Sequence, residues 1–500
     1  CALPISSDNQ MLVSGSTTVV SNSGATFVGY EGSGNTLTIS NGAKVFGGDA
    51  YLSALGGSNN SVVISGEGSE WSNSGVIHVA KSLYADMAGT GTLTILSGGT
   101  LAASNLIISG ATNSVGTVEV GLKGGTNTNM ILNVRMITFG EGTGSLGLNQ
   151  SDTLTIAASI TGATATNSYA MIQQYGSGTT VLTGVSHTGT GYRVDGGQLR
   201  VDGGIFDIVD SAGASPDELG GPRTICIGNK YSGKSLVITN GGFVHSFVTI
   251  VGTCTQKNTD ALTGTSNNWA LITGDGSQLD AGELFIGNVS SGNSLMISNG
   301  GRVNCSLYTS IGASGSSNSV IVDGTGSLFS NAGSLKLGSY SESNVSSGNS
   351  ILMTNGGGLF SGSATIASST NSYGNSVRIT GAGSFWMNSG DLILGDGGSG
   401  NSIVIANGAK LVSSNSYISY TPGSSNNSVI VAGTGSVWSN TGVLVIGSAS
   451  SGSLTIMDGG IVSASKGIYV GASGSLYCDG ILNGNLTNGG VVAPGNSPGT

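Results

Sequence analysis

The sequence predicts an all-β fold, a right-handed parallel β-helix (β-solenoid). Three observations predict it. One short pattern returns along most of the chain, apolar residues alternate with period two, and 89 of 500 residues are Gly. No segment sustains the 3.6-residue apolar period of a helix.

The first pattern reads Ser-Gly-Asn-Ser/Thr, three mostly apolar residues, a small polar residue, then Asn-Gly-Gly/Ala. Copies are SGNTLTISNGA from Ser33, SGKSLVITNGG from Ser232, SGNSLMISNGG from Ser291, SGNSILMTNGG from Ser347 and SGNSIVIANGA from Ser399. A worn copy, SGSLTIMDGG, begins at Ser451. The turn markers Asn240, Asn299, Asn355, Asn407 and Asp458 lie about 51 to 59 residues apart, a spacing in the range of solenoids and arrays. A second pattern lies between these copies: SVVISGEGSEWSNSG from Ser61, SVIVDGTGSLFSNAG from Ser319, SVRITGAGSFWMNSG from Ser376 and SVIVAGTGSVWSNTG from Ser428. Short strands ending at Gly338, Gly395 and Gly447 follow the last three.

Alternation assigns the faces of each strand. Leu295 and Ile297 flank Met296, Ile403 and Ile405 flank Val404, and Val377 and Ile379 flank Arg378. Side chains in a strand alternate sides. Because Arg378 cannot sit unpaired in a dry core, the flanking pairs point inward. Leu335 and Leu337 around Lys336 agree. Gly and Asn-Gly supply the positive φ of the tight turns between strands. A repeat near 52 residues with about four short strands then makes two coils of about 25 residues, whose strands pair in parallel. The chain divides into repeats over 1–140, a divergent stretch over 141–230 and regular repeats over 231–500, all in one continuous rod.

Particular residues acquire structural duties. Asn293, Asn349 and Asn401 recur at one position and Asn318, Asn375 and Asn427 at another. Stacked amides there can form hydrogen-bonded ladders, or the residues simply suit turns. Trp71, Phe329, Trp386 and Trp438 share one register and are expected to stack at a coil corner rather than to form a sugar platform. The charged segment from Ile205 to Arg223 is expected to protrude as a loop.

In the divergent stretch, Ser177-Gly178-Thr179-Thr180-Val181-Leu182-Thr183-Gly184, then Thr188-Gly189, then Val194-Asp195-Gly196-Gly197-Gln198-Leu199-Arg200-Val201 resembles the autotransporter-associated β-strand repeat. The usual Tyr-Thr-Gly-x-Thr is kept only in part, as His187-Thr188-Gly189-Thr190. The end, GNLTNGGVVAPGNSPGT from Gly484, resembles the close of such passenger regions, and the flanking copies are similar to tandem repeats of large bacterial surface proteins. The resemblance implies a right-handed β-helical protein, secreted or on the cell surface.

Composition narrows the function. The net charge is -10 with 15 Lys and Arg, which argues against nucleic acid as a partner. No apolar run reaches the length of a transmembrane helix. Of the five cysteines, Cys1, Cys226, Cys254, Cys305 and Cys478, an odd one is left over. Cys1 and Cys478 are candidates for an intermolecular disulfide. Cys1 is open to two readings, a lipidated N-terminus or a cleavage that fell there. The three His residues, His78, His187 and His245, lie far apart, with His78 in an outward register. Acidic residues are scattered singly in turns, Asp195 and Asp202 among them. No catalytic, metal or cofactor site is expected, and polysaccharide-active β-helix enzymes are the remote alternative. Two non-enzymatic readings remain. One is a subunit that associates with copies of itself into a fibre or matrix, through an outward apolar stripe of Val237, Met296, Leu352, Val404, Ile321 and Ile430. The other is a monomeric adhesin stalk or passenger that meets glycans or a host surface.

Overall fold

A computed structural model describes residues 2–3, 7–81, 87–162, 170–187, 191–208, 223–254, 265–339 and 345–495. They fall into two compact units, Cys1–Val237 with Gly242–Phe247, and Ile238–Gly241 with Val248–Thr500. Among the described residues there is no helix. Both units are parallel β-solenoids, as the alternation predicts.

A coil consists of three short strands, or of one short strand and one continuous strand of nine or ten residues such as Arg302–Ile311. In the second unit, Ser402–Ala406, Lys410–Ser413 and Ser416–Ile418 make one coil. Asn427–Ala432, Val437–Asn440 and Leu444–Ile446 make the next. They pair in parallel, face on face: Ile403 with Val429, Leu411 with Trp438, Ile418 with Ile446. The first unit is built alike. Thr36–Ser40, Lys44–Gly47 and Ala50–Leu52 lie under Asn60–Ser65, Glu70–Asn73 and Val76–Val79. The sequence suggests four strands in two coils, whereas each of these pairs of coils has six. The extra strands, Lys410–Ser413 and Ser416–Ile418, lie between the two recurring patterns.

The inward and outward assignments hold. Leu295, Ile297 and Ile379 have no exposed surface, while Met296 and Arg378 are exposed. Lys336 is half-buried on the outer side. Burying two large apolar side chains per strand contributes about 3 to 6 kcal/mol of transfer free energy for each. Every coil therefore adds its own increment to the stability of the stack.

The divergent stretch keeps the same three-strand coil in shortened form. Ala170–Gln174, Thr179–Leu182 and Val185–His187 are followed by Gly191–Val194, Gln198–Asp202 and Ile205–Asp207. Thr179 pairs with Gln198, so the two halves of the autotransporter-like motif are neighbouring strands in successive coils. Of the loop expected over 205–223, residues 205–207 are instead a strand. Phe206 there is fully buried, and Asp207 Oδ1 lies 3.1 Å from His245 Nδ1. Residues 209–222 of that loop lie outside the described residues.

The asparagines do form a ladder, and it is one ladder rather than two. Asn268, Asn293, Asn318, Asn349, Asn375, Asn401 and Asn427 are fully buried at one corner of the second unit. From Asn268 to Asn401, each donates its backbone N–H and its Nδ2 to the Oδ1 of the next, at 2.9–3.1 Å. Asn427 closes the series on the carbonyls of Gly398 and Ser424. Asn9, Asn35 and Asn60 repeat the arrangement in the first unit. The two patterns share one ladder because their strands alternate on one face: Leu295 pairs with Val320, and Val320 with Ile351. The glycine that ends each short strand makes room for the amides. A Cβ on Gly395, at φ +79°, would overlap the Asn427 amide.

Two turn types alternate up the stack and give the repeat its double-coil period. Asn299, Asn355 and Asn407 adopt φ of 51°, 51° and 55° in the Asn-Gly turns. Gly300, Gly356 and Gly408 each donate N–H to a serine of the next coil, Ser327, Ser384 and Ser436, at 2.9–3.1 Å. Those serines donate in turn to the carbonyls of Asp323, Thr380 and Ala432 four residues back. A Gly-x-Gly-Ser turn thus completes the hydrogen bonding of the Asn-Gly turn beneath it.

The aromatic stack requires correction. Trp71, Phe329, Trp386 and Trp438 are all buried at 0–1% exposure, but each pairs with aliphatic residues above and below. Leu359 separates Phe329 from Trp386, and Leu411 separates Trp386 from Trp438. In the second unit the rings of Phe329, Trp386 and Trp438 lie two coils, about 10 Å, apart. Trp386 and Trp438 donate Nε1–H to Ser361 and Ser413 at 2.8 and 3.2 Å.

Replacing Asn375 with Ala removes the acceptor for two buried donors of Asn349. Equilibrium denaturation is expected to show a loss of about 2–5 kcal/mol. Ser376→Ala, on the outward side of the adjoining strand, is expected to change stability by less than about 0.5 kcal/mol.

Candidate interaction surface

On one outer face of the second unit, a single register runs through Leu271, Met296, Ile321, Leu352, Arg378, Val404, Ile430, Thr455 and Tyr477. Met296 is 37% exposed and Tyr477 46%. Ile321, Leu352, Val404 and Ile430 are half-buried. Six ranks from Met296 to Ile430 span about 24 Å at the spacing of paired strands. A column of serines, from Ser294 through Ser319, Ser350, Ser376 and Ser402 to Ser428, flanks it on one side. Ser298, Asp323, Thr354, Thr380, Ala406 and Ala432 flank it on the other. The ranks are therefore regularly spaced, and across them the only charges are Arg378 and Asp323. The structure brings five of the six predicted stripe residues into one column. Val237 belongs to the first unit, where it is half-buried.

The cysteines separate by environment. Cys226 and Cys254 each take part in a disulfide and are fully enclosed. Cys305 is a buried free thiol that donates to the carbonyls of Gly282 and Tyr308. Burial raises its pKa above the ordinary thiol value, which makes it a poor nucleophile. Cys478 is a free, half-buried thiol. Cys1 lies outside the described residues.

Titratable groups gather at one place in the first unit, where Glu119, Lys123, Tyr175, Arg193 and Asp195 act on one another electrostatically and Lys123 Nζ lies 3.7 Å over the Tyr175 ring. Among the described residues no three His, Cys, Asp or Glu side chains gather as a metal site. Asp195 is 3% exposed. Burial raises its pKa, with Arg193, Lys230 and Lys123 opposing, and its Oδ1 has no partner. Asp202 pairs with Arg200 at 2.6 Å.

His78 departs from expectation. Its register is outward, yet it is only 6% exposed. Its ring stacks on Tyr51 at 4.6 Å, and Tyr51 stacks on Phe27 at 5.2 Å. Three consecutive coils place aromatic rings in one outer column, and the neighbours cover the imidazole. Sequence alternation distinguishes sides of a strand but not coverage by a stack. Desolvation, then the Lys81 charge, depresses the His78 pKa to about 4, with Asp49 opposing.

A second outer feature was not anticipated. A groove of about 280 Å³ opens at a corner of the second unit, lined by Phe360, Met387, Val412, Ser330, Ser389 and their neighbours. Phe360 is 42% exposed. The available sequence signal was a register mismatch: Asn304, Ser330 and Ser439 hold the outward position that Phe360 and Met387 take in between.

No family model matches the chain, and no curated protein matches it. One solved structure that aligns with it is the crystal structure of the TibC-catalyzed hyper-glycosylated TibA55-350 fragment. That alignment covers 97% of this chain and 98% of that one, at 12% identity and a TM-score of 0.19. A TM-score so low gives the likeness no weight, and the fold rests on the chain's own strand registers.

The depressed His78 pKa fixes a pH dependence. The unfolded chain takes up a proton near pH 6.5, whereas the folded chain resists until about pH 4. Stability present above pH 6.5 is therefore lost as pH falls through that window, by about 3 kcal/mol. Thermal unfolding followed from pH 7 to 4 is expected to show this loss, and His78→Phe, which keeps the ring stack, to flatten it.

Proposed function

We propose that this chain is an extracellular, non-enzymatic structural β-solenoid that associates with copies of itself through the outer face of its second unit. The observation that carries the reading is the column Met296–Ile321–Leu352–Arg378–Val404–Ile430, apolar at every rank but Arg378. Apolar side chains in one line on a regularly spaced face with few charges favour contact with a matching face. Two copies facing each other would withdraw both columns from water, and the flanking serines and threonines would form the polar rim. The disulfide-bonded Cys226 and Cys254 support an oxidising compartment, in keeping with a secreted or surface location. Among the described residues, Cys478 is the free thiol with access to solvent for a covalent link between copies.

A second reading, a monomeric adhesin stalk or passenger, is favoured by the groove at Phe360. In that reading the column is only a run of good strand formers on an outer face, and the contact with other molecules is made elsewhere.

Sedimentation velocity and electron microscopy separate the two. Concentration-dependent association is expected for the natural chain, and loss of association for Ile321→Lys with Val404→Lys, since both copies would then carry facing ammonium groups. Persistent monomers, or association unchanged in the variant, would reject the proposal. On non-reducing gels a covalent dimer is expected to vanish in Cys478→Ser.

A further inference from the structure

The groove in the second unit begins with a change in corner length. Successive coils pair through Asn331 with Ser361 on one side of the corner and Ser334 with Ser363 on the other, so the register shifts between Asn331 and Ser334. One residue fewer rounds the corner at Gly362, where a Cβ would overlap the Ala332 carbonyl. The shortened coil draws the chain inward there and leaves a concavity of about 280 Å³. That is close to the lower bound of about 300 Å³ for small-ligand sites.

The lining is specific in kind. Phe360 stands 42% exposed at the edge, its ring braced by Phe385 with centroids 5.3 Å apart. Phe385 is held over Gly358, where a Cβ would overlap its ring. Met387 and Val412 continue the apolar wall, and Ser330 and Ser389 supply hydroxyls. The floor is fixed by buried amides: Asn331 accepts from Thr309 at 2.8 Å, and Asn388 accepts from Ser361 at 2.7 Å. These amides also donate to the carbonyls of Gly333 and Gly390. None of the lining residues is charged.

We propose that this groove is a binding site for a neutral saccharide. A sugar ring presents an apolar C–H face and a hydroxyl edge, and the groove offers a braced aromatic ring beside hydroxyls and backbone carbonyls. The absence of charge disfavours phosphate, carboxylate and ammonium ligands, which would lose hydration without a compensating partner. The site is shallow and holds one or two sugar units, so affinity per site is low, with a dissociation constant of about 1 mM. This inference does not depend on self-association.

Ligand-observed NMR and calorimetry on the full chain test it. The probes are neutral oligosaccharides of glucose, galactose, mannose and N-acetylglucosamine in α and β linkages, with oligogalacturonate and the apolar dye anilinonaphthalene sulfonate as contrasts. At least one neutral oligosaccharide is expected to bind, roughly tenfold or more weaker in Phe360→Ala and restored in Phe360→Tyr. Circular dichroism of each variant checks that the coils persist. Failure of every neutral probe overturns the proposal, and so does binding that Phe360→Ala leaves unchanged. Tighter binding of oligogalacturonate at the same groove, or of the dye alone with loss in Phe360→Ala, also overturns it; the dye result would mark the groove as an apolar docking site. Sedimentation of the same samples reads association separately, so failure here leaves the association reading intact.

Discussion

The buried asparagine ladder is the constraint on which the coil geometry depends. An amide at 0% exposure is costly unless all its polar atoms are engaged. Here each Oδ1 takes two donors from the coil before it, the backbone N–H and Nδ2. That requirement fixes the height of successive coils at this corner. Strand register follows, because a slip of one residue would carry both the amide and the inward apolar pair to the wrong side. The adjoining glycines follow too, because the corner holds either an amide or a Cβ. Where the ladder stops, Gly452 occupies the position opposite Asn427, and Gly91 the position opposite Asn60.

The second organising element is the alternation of turns. The Asn-Gly turn leaves a glycine N–H directed at the next coil, and the serine of a Gly-x-Gly-Ser turn accepts it. Two identical turns in succession would lack this complementarity. The longer period in the sequence is thus a hydrogen-bonding period laid over a shorter geometric one. The aromatic residues obey the same rule: they belong to one coil type and therefore meet aliphatic residues of the other, which fills the interior with large and medium side chains in turn.

With the interior so occupied, function falls to the outer faces, where side chains are free of these obligations. One face carries a regularly spaced apolar column, and one corner carries a groove with a braced aromatic ring. Among the titratable groups that burial perturbs, His78 and Cys305 stand apart, whereas Asp195 shares its neighbourhood with Glu119 and Tyr175. The free energy that stabilises the solenoid is additive along the stack, so the outer faces can vary without threatening the fold.

The sequence by itself determined the fold class, the parallel stacking and the sides of each strand. Those depend on periodicity, and one charged residue at an outward position, Arg378 or Lys336, is enough to set the phase. It also marked the ladder asparagines and the members of the apolar column, because register is inherited from spacing. Only the tertiary structure decided what lies next to what across coils. It merged two sets of asparagines into one ladder, interposed Leu359 and Leu411 between aromatic rings, buried His78 in a stack with Tyr51, and opened the groove at Phe360. The physical reason is common to all four. Neighbours in a solenoid are about 25 residues apart in sequence, and which coils are adjacent, and by how many residues a corner is shortened, are properties of the packed stack rather than of any local pattern.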